Sequence, residues 1–282
     1  MTTIRAAITQ TTWTGDKESM LDKHEKFARD AAADGAQIIC FQELFYGPYF
    51  GITQDAKYYR YAEPADGPIV QRFAALAKEL NLVMILPIYE EDGTGIYYNT
   101  AVVVDADGSI LGSYRKHHIP HLEKFWEKFY FRPGNLGYPV FDTAVGRVGV
   151  YICYDRHFPE GWRELGLNGA QMVFNPNATK PGLSNRLWEI EQPAAAVANQ
   201  YYVLAPNRVG LEDNEYGDDA VFFYGTSQVV DPQGNYVGEL GSSETEELLI
   251  RDLDLDLIQT VRDNWQFYRD RRPESYTAVV KP

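Results

Sequence analysis

Residues 148–160 read Val148-Gly149-Val150-Tyr151-Ile152-Cys153-Tyr154-Asp155-Arg156-His157-Phe158-Pro159-Glu160. Val148, Val150 and Ile152 alternate with smaller or polar partners, which predicts a half-buried strand that runs out at Cys153. A charged turn follows, and Pro159 suits the first turn of a helix. The stretch is therefore a strand, a thiol, a turn and a helix. Backbone N–H groups at a helix start can receive negative charge. Positive potential there lowers a thiol pKa from its usual ~8.5 towards the reactive thiolate. The alternative reading is a buried, inert cysteine, because free cysteine is among the most buried residue types.

Working outward, the same alternation of strands and helices covers the chain. Ile4 to Thr9 reads as a strand, Lys17 to Ala33 as a helix stopped by Gly35, and Gln37 to Phe41 as a continuous apolar strand covered on both faces. Pro68 to Leu80 reads as a helix and Leu82 to Tyr89 as a strand, with a hairpin from Tyr97 to Lys116 around Asp105-Ala106-Asp107-Gly108. The region 117–138 is irregular, holding three histidines and many aromatics, and long structureless segments in compact domains are usually functional. Beyond it come strands at 139–142 and 147–153, a helix at 159–167, a strand at 172–175, a helix at 184–199 and a strand at 201–206. Further strands are expected at 225–231, 236–239 and 247–253, then a short helix from Asp254. No linker or repeat divides the chain, so residues 1–282 are expected to form a single α/β domain. The tail, 254–282, carries the aromatic and arginine-rich stretch Trp265 to Arg272, a candidate subunit interface.

Composition narrows the partners. The 282 residues carry 26 basic and 40 acidic side chains, a net charge of −14. That argues against nucleic acid or an anionic membrane as partner and leaves small-molecule chemistry open. The two cysteines, Cys40 and Cys153, form no disulfide framework. With no signal-peptide core at the N-terminus and no apolar run long enough for a bilayer, the expected location is cytoplasmic.

Three expected strand ends carry chemistry: Glu43, Lys116 and Cys153. Taken singly, each charged residue reads as a solvated surface group. Together they supply a general base, a cation and a nucleophile, the parts of an acyl-transfer site. Attack on an amide or urea carbonyl builds negative charge on oxygen. Lys116 and the backbone N–H of Tyr154 are placed to stabilise it. Glu43 is placed to take the thiol proton and return it to the leaving nitrogen.

At these residues the chain resembles the nitrilase superfamily of carbon–nitrogen hydrolases. The Glu–Lys–Cys triad of that family matches Glu43 in Phe-Gln-Glu-Leu, Lys116 in Tyr-Arg-Lys-His-His-Ile-Pro and Cys153 in Ile-Cys-Tyr-Asp. The resemblance runs from Ile4 to about Tyr268 and implies a four-layer α-β-β-α sandwich with the triad at strand ends. It implies a second glutamate, for which Glu127 stands in the right place, holding Lys116 charged and aimed. Without the resemblance Glu127 would read as half of a surface pair with Lys124 or Lys128.

Within the superfamily the chain is most similar to the carbamoylases, and among these to the β-ureidopropionases. The matching stretches are 116–121, 134–141, 152–159, 174–179, 198–202 and Asn207-Arg208-Val209-Gly210. The implied substrate is an N-carbamoyl amino acid, foremost N-carbamoyl-β-alanine, cleaved through a cysteine thioester to the amine acid, carbon dioxide and ammonia. N-carbamoylputrescine, N-carbamoyl-α-amino acids and simple aliphatic amides are the alternatives, and a non-catalytic binding module the remote one. Arg156 is the candidate carboxylate clamp, since guanidinium suits bidentate binding; its other reading is a salt bridge to Asp155 or Glu160. Tyr154, His157, Asn177 and His118 complete the candidate substrate contacts. The resemblance implies a homo-oligomer, a dimer or larger, and calls for no cofactor.

His117, His118 and His121 lack zinc-ligand spacing, so no metal is expected. No serine elbow, phosphate loop or dinucleotide fingerprint is present. The aromatic cluster Phe45, Tyr46, Tyr49 and Phe50 reads as core or interface.

Overall fold

The computed structural model describes residues 2–212 and 220–281. Thirteen strands are present among them: β1 (Thr3–Gln10), β2 (Ile38–Cys40), β3 (Val83–Glu91), β4 (Tyr97–Val104), β5 (Ile110–Arg115), β6 (Val140–Thr143), β7 (Gly146–Val150), β8 (Met172–Phe174), β9 (Tyr202–Ala205), β10 (Val209–Glu212), β11 (Val221–Tyr224), β12 (Gln228–Val230) and β13 (Glu247–Asp254). The helices are α1 (Lys17–Ala33), α2 (Pro68–Leu80), α3 (Pro159–Leu167), α4 (Leu183–Asn199), α5 (Asp256–Asn264) and α6 (Phe267–Asp270).

Two sheets carry the fold. One has the order β13-β1-β2-β3-β4-β5, the other β12-β9-β8-β7-β6, and β10-β11 form a separate hairpin. Strands β1, β2 and β3 are parallel neighbours, as are β7, β8 and β9. Period-two alternation decides what each face meets. Ile38, Cys40, Val83 and Ile85 pack with Val148, Val150 and Val173 from the second sheet. Their alternates Ile39, Met84 and Leu86 pack with Met20, Leu21 and Ala28 of α1 and Phe73 of α2. On the far side, α3 and α4 cover the second sheet through Trp162, Leu165, Ala195 and Ala196. The layers therefore run helix, sheet, sheet, helix: a four-layer α-β-β-α sandwich. No helix among the described residues is long and apolar enough to cross a membrane.

Two expectations need correction. The strand through 147–153 stops at Val150. Beyond it Asn175 Nδ2 takes the Tyr151 carbonyl, and the Asp155 carboxylate takes the Ile152 N–H at 3.0 Å. With those groups committed, the chain turns, and Cys153 opens a short 3-10 turn, 153–157, with φ +47. Residues 236–239 form no strand beyond a single bridge from Tyr236 to Val230, because Arg251 takes the carbonyls of Val237, at 2.7 Å, and Glu239. The β10-β11 hairpin was absent from the expected elements.

Candidate active site

The carboxyl ends of the parallel strands in the two sheets face a common point, a usual place for a ligand site in parallel α/β sheets. Glu43 lies three residues past β2, Lys116 directly past β5 and Cys153 three residues past β7. Polar Asn99, near the start of β4, pairs with Tyr89 of β3 and accepts the Lys116 N–H on its backbone carbonyl at 2.8 Å. These pairings bring residues far apart in sequence into one cluster.

The cluster is dry. Glu43, Lys116 and Glu127 are all fully buried. Lys116 Nζ donates to Glu43 Oε1 at 2.9 Å and to Glu127 Oε2 and Oε1 at 2.7 and 3.0 Å. Asn99 Nδ2 also donates to Glu43 Oε1, at 2.7 Å, and Tyr49 Oη donates to Glu127 Oε1 at 2.6 Å. Glu43 Oε2 is buried with no protein partner among the described residues. Of the two oxygens of this carboxylate, Oε2 is therefore the one open to accept a proton. Burial alone would push the Lys116 pKa down, but Glu127 and Glu43 outweigh it and hold the group as an ammonium. Burial, reinforced by Glu43, raises Glu127 to about 7 against the pull of Lys116.

Cys153 stands at the boundary between this cluster and solvent. It is 3% exposed and lines a cavity of about 550 Å³. Its thiol is pushed up to about 12, first by burial and then by Glu43, with Lys116 and Arg156 pulling the other way. This corrects the expectation of a thiol lowered by a helix start: dehydration and the nearby carboxylate dominate. The resting group is a neutral thiol that needs a base. Cys153 begins its 3-10 turn, so the N–H of Tyr154 has no carbonyl behind it within that turn.

Tyr154, Arg156 and His157 line the cavity with Cys153. Arg156 pairs with neither Asp155 nor Glu160; its Nε meets Glu191 Oε2 at 3.1 Å, its Nη1 meets Asn177 Oδ1 at 3.2 Å and the Cys153 carbonyl at 3.4 Å, and its Nη2 meets Ser184 Oγ at 3.0 Å. Four acceptors leave one of its five N–H groups over. His157 Nδ1 lies 2.6 Å from Glu191 Oε1. Asn177 and His118 do not line the cavity. Asn177 is buried between Arg156 and Asn175 Oδ1. His118 Nδ1 lies 2.7 Å from Asp155 Oδ1, and its ring stacks on Phe158 at 3.7 Å. Both act on protein neighbours. Lys180 and Glu191, which sequence reasoning did not single out, complete the charged lining. Tyr49 and Asn99 were also missed as site residues; a lone asparagine in the apolar run of β4 was the available signal.

Comparison with known proteins gives the family and the fold. Residues 5–263 match the carbon–nitrogen hydrolase family. The chain is 40% identical over 265 residues to the N-carbamoylputrescine amidase of Arabidopsis thaliana, across 91% of this chain and 88% of that one. It is 38% identical over 273 residues to a β-ureidopropionase of the same plant, across 93% of this chain and 67% of the other. A crystal structure of a carbon–nitrogen hydrolase from Helicobacter pylori G27 superposes with a TM-score of 0.94 at 32% identity, covering 99% of each chain.

Proposed function

Because this chain belongs to the carbon–nitrogen hydrolase family and is a hydrolase of carbon–nitrogen bonds, we propose that it cleaves N-carbamoyl amino acids through a thioester on Cys153. The observation that carries the reading is the buried Glu43 carboxylate, one oxygen fixed by Lys116 and Asn99 and the other without a partner. Glu43 Oε2 takes the Cys153 proton as sulfur attacks the carbamoyl carbon. Lys116 and the Tyr154 N–H stabilise the oxyanion. The proton passes to the departing nitrogen, and ammonia leaves a carbamoyl thioester. Glu43 then deprotonates water, which releases the thiol and a carbamic acid that falls apart to carbon dioxide and the amine. Glu127, held by Tyr49, keeps Lys116 charged.

A carboxylate-bearing substrate is favoured by the charge around the cavity. Among the described residues, Arg156 and Lys180 line it against a single carboxylate, Glu191, both of whose oxygens already face Arg156 and His157. The spare Arg156 N–H supports a role as the carboxylate contact, with His157 and Tyr154 beside it. N-carbamoyl-β-alanine is the foremost candidate. The second reading, N-carbamoylputrescine, is supported by the relative that carries that activity in its name and by Glu191 as the place for a distal ammonium.

Ammonia release from N-carbamoyl-β-alanine, N-carbamoyl-α-amino acids and N-carbamoylputrescine decides between them. Under the proposal the acidic members have the higher kcat/KM, and Arg156→Ala lowers their use far more than that of the putrescine compound. Faster turnover of the putrescine compound, with equal losses across the panel, would remove Arg156 from this role.

A further inference from the structure

An ion pair outside the cavity reaches both glutamates of the cluster. Arg208, directly before β10, and Glu212, its last residue, are fully buried and meet at 2.6 Å between Nη1 and Oε1. Arg208 Nη2 donates to the carbonyls of Glu43 at 3.0 Å, Leu44 at 2.8 Å and Gly47 at 2.8 Å, and Nε donates to Glu43 O at 3.3 Å. Leu44, directly after Glu43, sits at φ +53, a conformation that a branched side chain rarely adopts. The other oxygen of Glu212, Oε2, accepts the backbone N–H of Tyr49 at 3.0 Å. Tyr49 is the residue whose hydroxyl holds Glu127.

A buried ion pair is weak evidence for stability, because its desolvation rivals its Coulombic gain. Here each partner spends its remaining hydrogen bonds on one loop, 43–49. We propose that Arg208 and Glu212 are positioning residues that set the two glutamates together: Arg208 fixes the turn that carries Glu43, and Glu212 fixes Tyr49 and through it Glu127. The inference rests on the assignment of Glu43 and Glu127 to the reaction. Guanidinium suits the task because its five N–H groups reach several carbonyls and a carboxylate at once; an ammonium offers three.

The test uses the full chain and ammonia release from N-carbamoyl-β-alanine and N-carbamoylputrescine. In Glu212→Gln the amide oxygen stays with the charged Arg208 guanidinium, the stronger donor, and the amide nitrogen confronts the Tyr49 N–H. We expect kcat to fall on the order of 10²-fold, as for small misplacements of catalytic groups, with KM within about twofold. Tyr49→Phe acts on the same carboxylate, so the double variant loses less than the product of the two single losses. Arg208→Lys, acting through Glu43, combines with Tyr49→Phe closer to multiplicatively. Multiplicative loss for Glu212→Gln with Tyr49→Phe would overturn the inference, as would a lowered Tm with kcat unchanged. If Arg208→Lys does not fold, the Glu212–Tyr49 cycle decides alone. Full activity in Glu43→Gln would instead overturn the underlying assignment. An inactive Glu43→Gln beside unaffected Glu212→Gln would overturn this inference only.

Discussion

Lys116 Nζ lies 2.9 Å from Glu43 Oε1, in a pocket where both side chains are wholly out of solvent. The contact occupies one carboxylate oxygen, and Oε2, left without a partner among the described residues, is the atom proposed to take the thiol proton. Glu43→Gln tests this division of labour. A glutamine can keep its oxygen towards Lys116 and Asn99 and place its nitrogen where Oε2 stood, so folding should survive. If Glu43 is the base as proposed, kcat drops by about 10²- to 10⁴-fold with little change in KM. Steady-state ammonia release checks it; a loss under tenfold would take Glu43 out of the role of base.

The Cys153 thiol, raised to about 12, gives a pH prediction. A raised folded-state pKa means that the native chain keeps a proton which the unfolded chain releases above ~8.5. The contribution to stability is fully present below that pH and is lost as pH climbs towards 12. The wild type should therefore lose Tm relative to Cys153→Ser between pH 8 and 10. The difference in absorbance at 240 nm between the two proteins should stay flat from pH 6 to 9. A thiolate step centred below pH 8 would show a preformed anion and contradict the burial argument.

Much of this arrangement is legible in the amino-acid order, for a physical reason. Strand β2 is covered on both faces and is an apolar run, and β7 alternates Val148 and Val150 with glycine; Glu43 and Cys153 stand just past them, where the apolar pattern ends. Helices α1, α2 and α3 begin and end where their sequence signals place them: Asp16 caps α1 through the Ser19 N–H at 2.8 Å, and Pro68 and Pro159 open α2 and α3. What stays hidden is pairing across the chain. Arg208 and the Glu43 carbonyl are 165 residues apart, and no periodicity joins them. Arg156 meets Glu191 of α4 across 35 residues, whereas its sequence neighbours Asp155 and Glu160 were the obvious partners. The end of β7 was placed too late because Pro176, opposite, has no N–H to carry the ladder on to the Tyr151 carbonyl, which Asn175 Nδ2 takes instead, an effect that alternation cannot register.

Gly134 holds the loop over Lys116. Its N–H donates to the Lys116 carbonyl at 2.7 Å, and an added Cβ would lie 2.0 Å from the carbonyl oxygen of Arg115. That oxygen is backbone, fixed by the strand beside it, and cannot swing away as a side chain could. Gly134→Ala should cost about 3 kcal/mol or more, at or above the upper range for overpacking, read as a lowered Tm. The activity of the remaining folded protein should fall as well, since the displaced peptide belongs to Lys116. An unchanged Tm would mean that the loop can move aside.

Asp155 fastens the cysteine turn to the strand that precedes Lys116. Its two oxygens, wholly buried, accept from the Ile152 N–H at 3.0 Å, the Tyr114 hydroxyl at 2.7 Å and the His118 N–H at 2.9 Å, with His118 Nδ1 at 2.7 Å. In Asp155→Asn the new amide nitrogen must face one pair of these donors. If it replaces Oδ2, the Ile152 N–H is orphaned and the tyrosine hydroxyl can rotate to donate elsewhere. If it replaces Oδ1, the His118 N–H is orphaned and the ring must present Nδ1 as an acceptor. Either way one buried backbone N–H loses its partner, a cost of about 1–3 kcal/mol. Because Tyr114 and His118 flank Lys116 and Ile152 precedes Cys153, kcat should fall together with Tm. Asp155→Asn that lowers Tm yet leaves kcat untouched would show that the nucleophile turn is held by its other contacts, chiefly the Cys153 N–H to the Pro176 carbonyl at 3.0 Å.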